Sequence, residues 1–336
     1  MIRGSLNWTF LIVGTVIGAG YASGRELWQF FGSESGLAIL LFTFIFSLSC
    51  YSIMMISYKK QSKHYATILP EIVGLKLKGF YDVFILFYLI ATTIVMVAGS
   101  GAVGEIFNLS QWWGILLLLI SILLVFSFKI EGFLVINKLL IPILILGLLS
   151  TLLLFIFDEK IPIFNPLEGQ ANWFAAFPFT SLNILPLIAV LGAIGDKIRT
   201  KEEIIISSIC SGAILGGLTY LYNSSLIHLA DRMNDYEIPL FNILENYSTS
   251  LLLVITLILW LAIFTTAASN MVGITTRLQR VLPFRFFTIV CLTLIVIVPI
   301  SKVGFSTLIH YLYPAYGLLN LYVLSKLLIY PIIKSD

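Results

Sequence analysis

Gly14-Thr-Val-Ile-Gly18-Ala-Gly20-Tyr-Ala-Ser23-Gly24-Arg25-Glu26 lies inside the first apolar segment of the chain, and its reading decides the rest. Four glycines and an adjacent Arg-Glu pair weaken a helix at a depth where hydrocarbon offers loose backbone groups no partner. Those groups must face protein, water or a ligand. A plain membrane anchor has no use for such a stretch, whereas a solute site inside a membrane domain requires one.

The surrounding composition agrees. Of 336 residues, 59% are hydrophobic and 11% charged, and the mean hydropathy of +1.01 lies far from that of soluble domains. Apolar windows of about twenty residues, enough to cross a bilayer core, recur from end to end. No polar block is long enough for a soluble domain, so residues 1–336 read as one membrane domain. The net charge of +3 sits in short loops rather than in a basic tract with interleaved aromatics, so lipid and a small molecule are the expected partners and nucleic acid is not. Cys50, Cys210 and Cys291 lack disulfide or zinc spacing, and His64, His228 and His310 are scattered, so neither a metal nor a cofactor is expected. The basic, apolar N-terminus reads as an uncleaved first helix.

Windows bounded by charge, Gly and Pro give ten spans: 6–31, 36–58, 80–107, 112–128, 132–157, 173–195, 203–229, 246–276, 284–300 and 304–330. An even count puts both termini on one side. With the N-terminus cytoplasmic, sixteen Lys and Arg residues fall inside and only Arg25, Lys160, Arg232 and Lys302 outside, which orients a multi-pass protein of the cytoplasmic membrane. The outer loops are more acidic, with Asp158, Glu159 and Glu168 in one and Asp231, Asp235 and Glu237 in another, and 230–245 reads as an external cap. Ten spans divide five and five, about 6–157 and 173–330, and an odd number per half inverts the second half. Such halves are expected to interrupt spans one and six alike. Span six reads Phe177-Pro178-Phe179-Thr180-Ser181-Leu182-Asn183-Ile184-Leu185-Pro186, and its two prolines predict a break near 180–184.

These features resemble the amino acid-polyamine-organocation superfamily, which shares the leucine-transporter fold of ten core helices in two inverted repeats. Gly14-Thr-Val-Ile-Gly18-Ala-Gly20 looks like its first-helix signature, and Tyr21-Ala22-Ser23-Gly24-Arg25-Glu26 looks more narrowly like the YkvI-type permeases. The resemblance covers nearly the whole chain and implies an all-α transporter, without naming its solute.

A break near Gly18 to Ala22 would make the amides of Gly20, Tyr21, Ala22 and Ser23 the start of an outer half-helix, suited to a carboxylate. Gly18 and Ala19 complete that cradle, and Ser181, Leu182 and Asn183 would supply carbonyls and polar side chains for an ammonium group. An amino-acid-like substrate follows. Plainer readings stand beside this: Gly14 with Gly18, and Gly20 with Gly24, are GxxxG packing pairs, and Ser181 and Asn183 could be ordinary caps. Arg25 and Glu26 lie about one turn outside the break. Glu105 is the expected partner of Arg25 in an external gate, and Glu26 is a proton-titrating carboxylate or a contact for a cationic substrate; the alternative is a network that only anchors helices.

The resemblance also bears on coupling. Related sodium-coupled carriers build an ion site from first-helix carbonyls, here Gly14 and Ile17, and two eighth-helix hydroxyl residues. Matching Leu261-Ala-Ile-Phe264 to the similar run places Ser269 and Asn270 there, with Asn a departure from a hydroxyl. The run Asn137-Lys138-Leu-Leu-Ile-Pro142 looks like the fifth helix of proton-coupled or ion-independent permeases, in which a lysine amine takes the sodium position. Lys138 is thus either a proton switch or a lysine reaching to the cytoplasmic headgroups. Tyr311, Tyr313 and Tyr316 read as ordinary interfacial tyrosines. The expected function is a secondary transporter, proton-coupled rather than sodium-coupled; the alternative is a nutrient sensor on the same fold. A channel has no filter sequence here, and an enzyme no base or metal motif to activate Ser23.

Overall fold

The computed structural model describes residues 2–105, 109–162, 170–233, 238–245 and 247–333, with side chains left out at 2, 3, 105, 129–138 and 333. Among these there are helices and no strands, as expected of a chain that must satisfy its backbone internally in lipid. In order they are α1 (Ile2–Val16), α2 (Ala19–Ala22), α3 (Arg25–Phe30), α4 (Gly36–Lys60), α5 (Leu69–Glu105), α6 (Gln111–Ser127), α7 (Lys129–Asp158), α8 (Ala176–Ala193), α9 (Lys201–His228), α10 (Leu240–Leu244), α11 (Thr249–Leu278), α12 (Phe286–Ile300), α13 (Phe305–Leu319) and α14 (Leu321–Ile333).

Among the described residues seven helices, α4, α5, α7, α8, α9, α11 and α12, are long and apolar enough to cross a membrane. The pair α13 and α14, bent by 44°, adds an eighth at most. Two shorter apolar helices, Gly4–Val16 and Gln111–Ser127, occupy the first and fourth expected windows. The third expected span, from 80, lies within α5, which reaches back to Leu69 across a kink at Gly74, φ 82°, with Glu71 before the kink and Lys76 and Lys78 after it.

Local signals set the helix ends. Thr200 accepts from the Glu203 amide at 3.2 Å, with Glu202 and Glu203 in the first turn of α9. α4 ends on Lys59 and Lys60 and a left-handed Gln61. Small residues then bring helices close: a Cβ on Gly212 or Gly216 of α9 would overlap Ser47 or Thr43 of α4. Burial separates centre from rim. In the apolar window of Trp173–Ala193, 89% of residues are buried, against 33% for Phe286–Val303, so α8 is central and α12 presents Ile295 and Val296 outward. At one end of the bundle, Arg277 of α11 grips Asp82 of α5 through Nε–Oδ1 at 2.6 Å and a second, parallel bond. Trp8 of α1 donates to Glu203 of α9 at 3.2 Å.

Candidate functional site

The first segment breaks where its glycines are. α1 ends at Val16, and Gly18 is extended at φ −101°, ψ −167°. The single turn of α2 closes through Ala22 N–H to Gly18 O at 2.8 Å and Ser23 N–H to Ala19 O at 2.9 Å. Gly24 then adopts φ 79°, a conformation costly to any residue with a Cβ, and that Cβ would lie 2.7 Å from the Tyr222 ring. Carbonyls around the break are met from outside the segment. The Thr266 hydroxyl of α11 donates to Gly14 O at 3.2 Å and Ile17 O at 3.1 Å, and Tyr222 of α9 to Ala22 O at 2.6 Å. The Leu240 amide of α10 donates to Ser23 O at 2.9 Å, so this part of 230–245 seats on the break.

Span six differs from expectation: α8 runs unbroken from Ala176 to Ala193 through both prolines. Pro178 lies in the first turn, where an amide would have no intrahelical partner in any case. Pro186 withholds the N–H that would have bonded Leu182 O, and the Tyr88 hydroxyl of α5 supplies that bond at 3.0 Å. Proline here removes a donor without ending the helix.

Between the break and α8 lies a cavity. Its walls are Thr15, Val16, Gly18, Gly20 and Glu26 from the first segment, Tyr88, Thr92 and Met96 from α5, and Leu182, Asn183 and Pro186 from α8. Thr266 and Asn270 from α11 and Tyr313 from α13 complete them. The cavity is small, with room for one or two waters. Glu26 is buried, 4% exposed, and accepts from Asn183 Nδ2 at 3.2 Å. Gly20 makes room for it, since a Cβ there would stand 2.8 Å from Glu26 Oε2 and 3.1 Å from the Tyr313 ring. Asn270 donates to Thr92 Oγ1 at 3.0 Å, and its Oδ1 is buried with no hydrogen-bond partner among the described residues.

Over 333 residues the chain is 44% identical to the uncharacterized protein YyaD of Bacillus subtilis (strain 168), spanning 99% of this chain and 98% of YyaD. The chain belongs to the family of YyaD. A second member, the uncharacterized membrane protein YkvI of the same organism, is 28% identical over 95% of this chain and 94% of its own length. No family model matches the chain. Among solved structures, MhsT in complex with L-phenylalanine superposes with a TM-score of 0.69 at 12% identity, over 95% of this chain and 88% of MhsT. The Eremococcus coleocola manganese transporter gives 0.66 at 14%, over 95% and 78%, and a Na⁺-coupled sialic acid symporter 0.67 at 13%, over 94% and 75%. The chain therefore shares the leucine-transporter fold and is a multi-pass membrane protein.

Of the expected cradle residues, Gly18, Gly20, Leu182 and Asn183 line the cavity. Ala19 does not line it and gives its amide to Met96 Sδ at 3.3 Å. Tyr21 turns away, donating to Leu215 O at 2.8 Å and pairing with Thr219 in α9. The amides of Ala22 and Ser23 are consumed by their own turn, and Ser23 Oγ returns to Gly20 O at 3.0 Å, so none of these waits for a carboxylate. Ser181 points to the far side, donating to Pro178 O at 3.1 Å and to Gly317 O of α13.

On the expected coupling face, Ser269 accepts from Thr15 at 3.4 Å rather than meeting the Gly14 and Ile17 carbonyls, which belong to Thr266. Thr266 is one helical turn before the residues expected there, and the hydroxyl pair Thr265-Thr266 was its signal in the sequence. Of the expected gate, Arg25 sends its guanidinium to Met233 O at 3.4 Å and Ser306 Oγ at 3.2 Å, while Glu26 faces the cavity instead. The side chains of Glu105 and Lys138, and residues Glu168, Asp235 and Glu237, lie outside the described residues. Tyr313, expected to be interfacial, walls the cavity, and Tyr316 packs on Tyr88 at 4.9 Å; Tyr311 is exposed.

Proposed function

We propose that this chain is a secondary transporter that carries a small amino-acid-like or related organic solute across the cytoplasmic membrane by alternating access. Ten spans in two inverted halves, about 6–157 and 173–330, with both termini cytoplasmic, form its single domain; the charge bias of the loops supports that orientation. The observation that carries the reading is the cavity between the break of the first segment and α8, with the buried carboxylate of Glu26 inside it. A carboxylate in a membrane-embedded cavity is costly unless it binds a proton or a cation, so it marks a pathway. The helices around the site would rock against the rest, and solute binding would shift the outward and inward populations. Proton coupling is the favoured mode, with Glu26 or Lys138 as the group that titrates. Sodium coupling is the second reading, favoured by Thr266 standing against the Gly14 and Ile17 carbonyls.

The test is uptake of labelled amino acids and their amine relatives into proteoliposomes under separately imposed proton and sodium gradients. Accumulation driven by a pH gradient alone supports proton coupling, and accumulation driven by sodium alone moves the assignment to Thr266. Binding of a solute that is never taken up would turn the reading to a nutrient sensor on the same fold.

A further inference from the structure

Resting on the transporter reading, we infer that the solute is a small organic ammonium ion that carries one positive charge and no carboxylate, seated on Glu26. Glu26 is the one carboxylate among the described residues lining the cavity, and no Lys, Arg or His is among them. Its carboxylate is held by a neutral amide, Asn183 Nδ2 at 3.2 Å. The adjoining Arg25 sends its guanidinium to Met233 and Ser306. A buried carboxylate that faces only neutral groups among the described residues is stabilised by a cation that enters with the solute.

The hydrogen-bond inventory of the walls points the same way. Several donors are already committed: Tyr88 to Leu182 O, Thr266 to Gly14 O and Ile17 O, and Asn270 Nδ2 to Thr92. Two acceptors are spare. The second Glu26 oxygen stands beside Gly20, and Asn270 Oδ1 is buried without a partner among the described residues. An ammonium group brings three donors and no acceptor, which complements these two acceptors; a solute carboxylate would arrive beside a group of like charge, Glu26.

Tyr88 and Tyr313 add aromatic faces to the same cavity, which favour an organic cation over a hydrated inorganic one. A divalent metal would leave one charge uncompensated by a single carboxylate, and no group of three or more His, Cys, Asp and Glu occurs among the described residues. The space for one or two waters fits the ammonium head, and a longer tail needs the surrounding helices to part.

The experiment pairs molecules that differ only by a carboxylate: ethylammonium against alanine, and 2-phenylethylammonium against phenylalanine, with sodium chloride and manganese chloride as inorganic probes. Thermal unfolding of the purified full chain reads binding, and proteoliposomes read uptake. The expected result is that each amine protects about tenfold more potently than its amino acid, and that Glu26→Gln removes the difference. Tyr313→Leu, which keeps the carboxylate, weakens amine protection and serves if Glu26→Gln fails to fold. Amino acids that bind as tightly as amines overturn the inference while leaving the transporter reading intact. A Glu26-dependent response to sodium or manganese in place of the amines overturns it also, as does no response to either amine. Amines that bind and are never taken up uphold the inference and refute the transporter reading.

Discussion

The first apolar segment and α8 face each other across one cavity, and both carry residues that disturb a helix, yet only the first segment comes apart. Glycine and proline disturb in different ways. Gly18 and Gly24 allow backbone angles that other residues resist, so the chain turns there and its carbonyls must find partners on three other helices. Pro186 keeps a helical φ and withholds a single donor, and one hydroxyl from Tyr88 replaces it. A break opens several backbone groups and admits a buried carboxylate beside them. An uninterrupted helix offers side chains alone, here Asn183 to orient Glu26.

The harshest way to break this contrast is to fill the space that glycine leaves. Gly20→Leu would push a side chain into Glu26 and Tyr313, which already approach the missing Cβ to 2.8 and 3.1 Å. The expected outcome is uptake reduced to background in proteoliposomes, with a monodisperse, folded protein in size-exclusion chromatography. Retained uptake would mean that the cavity at the break is not on the solute path.

How far the contrast could be read in advance depends on where each partner lies in the chain. The break expected near Gly18 to Ala22 was legible because several glycines beside an ionisable pair leave a membrane helix few other roles, and the structure sets its irregular backbone at Gly18 and Gly24, on either side of the turn Ala19–Ala22. The continuity of α8 was not, because the donor that rescues Leu182 sits 94 residues away on α5, and no local pattern announces it. Ser269 and Asn270 are expected on the coupling face from the match of Leu261-Ala-Ile-Phe264 to the similar run of the leucine-transporter family. Thr266 lies three and four residues earlier, on a neighbouring turn of the same helix, and its hydroxyl is the one that bonds Gly14 O and Ile17 O, contacts across 252 and 249 residues of chain that no local pattern announces. Glu26 reads in the sequence both as a gate residue beside Arg25 and as a proton-titrating carboxylate or a contact for a cationic substrate; only the structure separates the two side chains, since consecutive helical residues point apart.

The next largest effect tests whether Tyr88 holds α8 together. Tyr88→Phe leaves Leu182 O without its donor, and burial makes that cost about 1–3 kcal/mol, read as a lower midpoint of thermal unfolding. Pro186→Ala restores an N–H at the position that can bond the same carbonyl. In that background Tyr88→Phe is expected to cost less, with a coupling of about 1 kcal/mol in the double-mutant cycle. Additive effects would detach the tyrosine from the proline and leave the continuity of α8 unexplained.

Thr266→Val carries the same logic to the broken segment, with a smaller expected loss. The substitution keeps the shape and removes the donor shared by Gly14 O and Ile17 O, at a cost of about 1–2 kcal/mol in thermal unfolding. If sodium drives uptake, this variant loses its sodium dependence while a Ser269→Ala variant keeps it. The reverse pattern would restore the ion face to Ser269.

The smallest effect is expected at Ser181, and it is informative for that reason. Its neighbours Leu182 and Asn183 line the cavity, yet the serine lies on the opposite side of α8, where its hydroxyl bonds Pro178 O and Gly317 O. Had α8 been unwound near 180–184, all three residues could have turned to the solute. A continuous helix forbids it, since consecutive side chains diverge by about 100°. Ser181→Ala should therefore lower the unfolding midpoint slightly, by the equivalent of about 0.5–1.5 kcal/mol, and leave the uptake rate and its concentration dependence unchanged. A weakened apparent affinity with intact stability would show that the segment unwinds during transport and brings Ser181 to the solute. The difference between the two helices would then belong to one state of the cycle rather than to the fold.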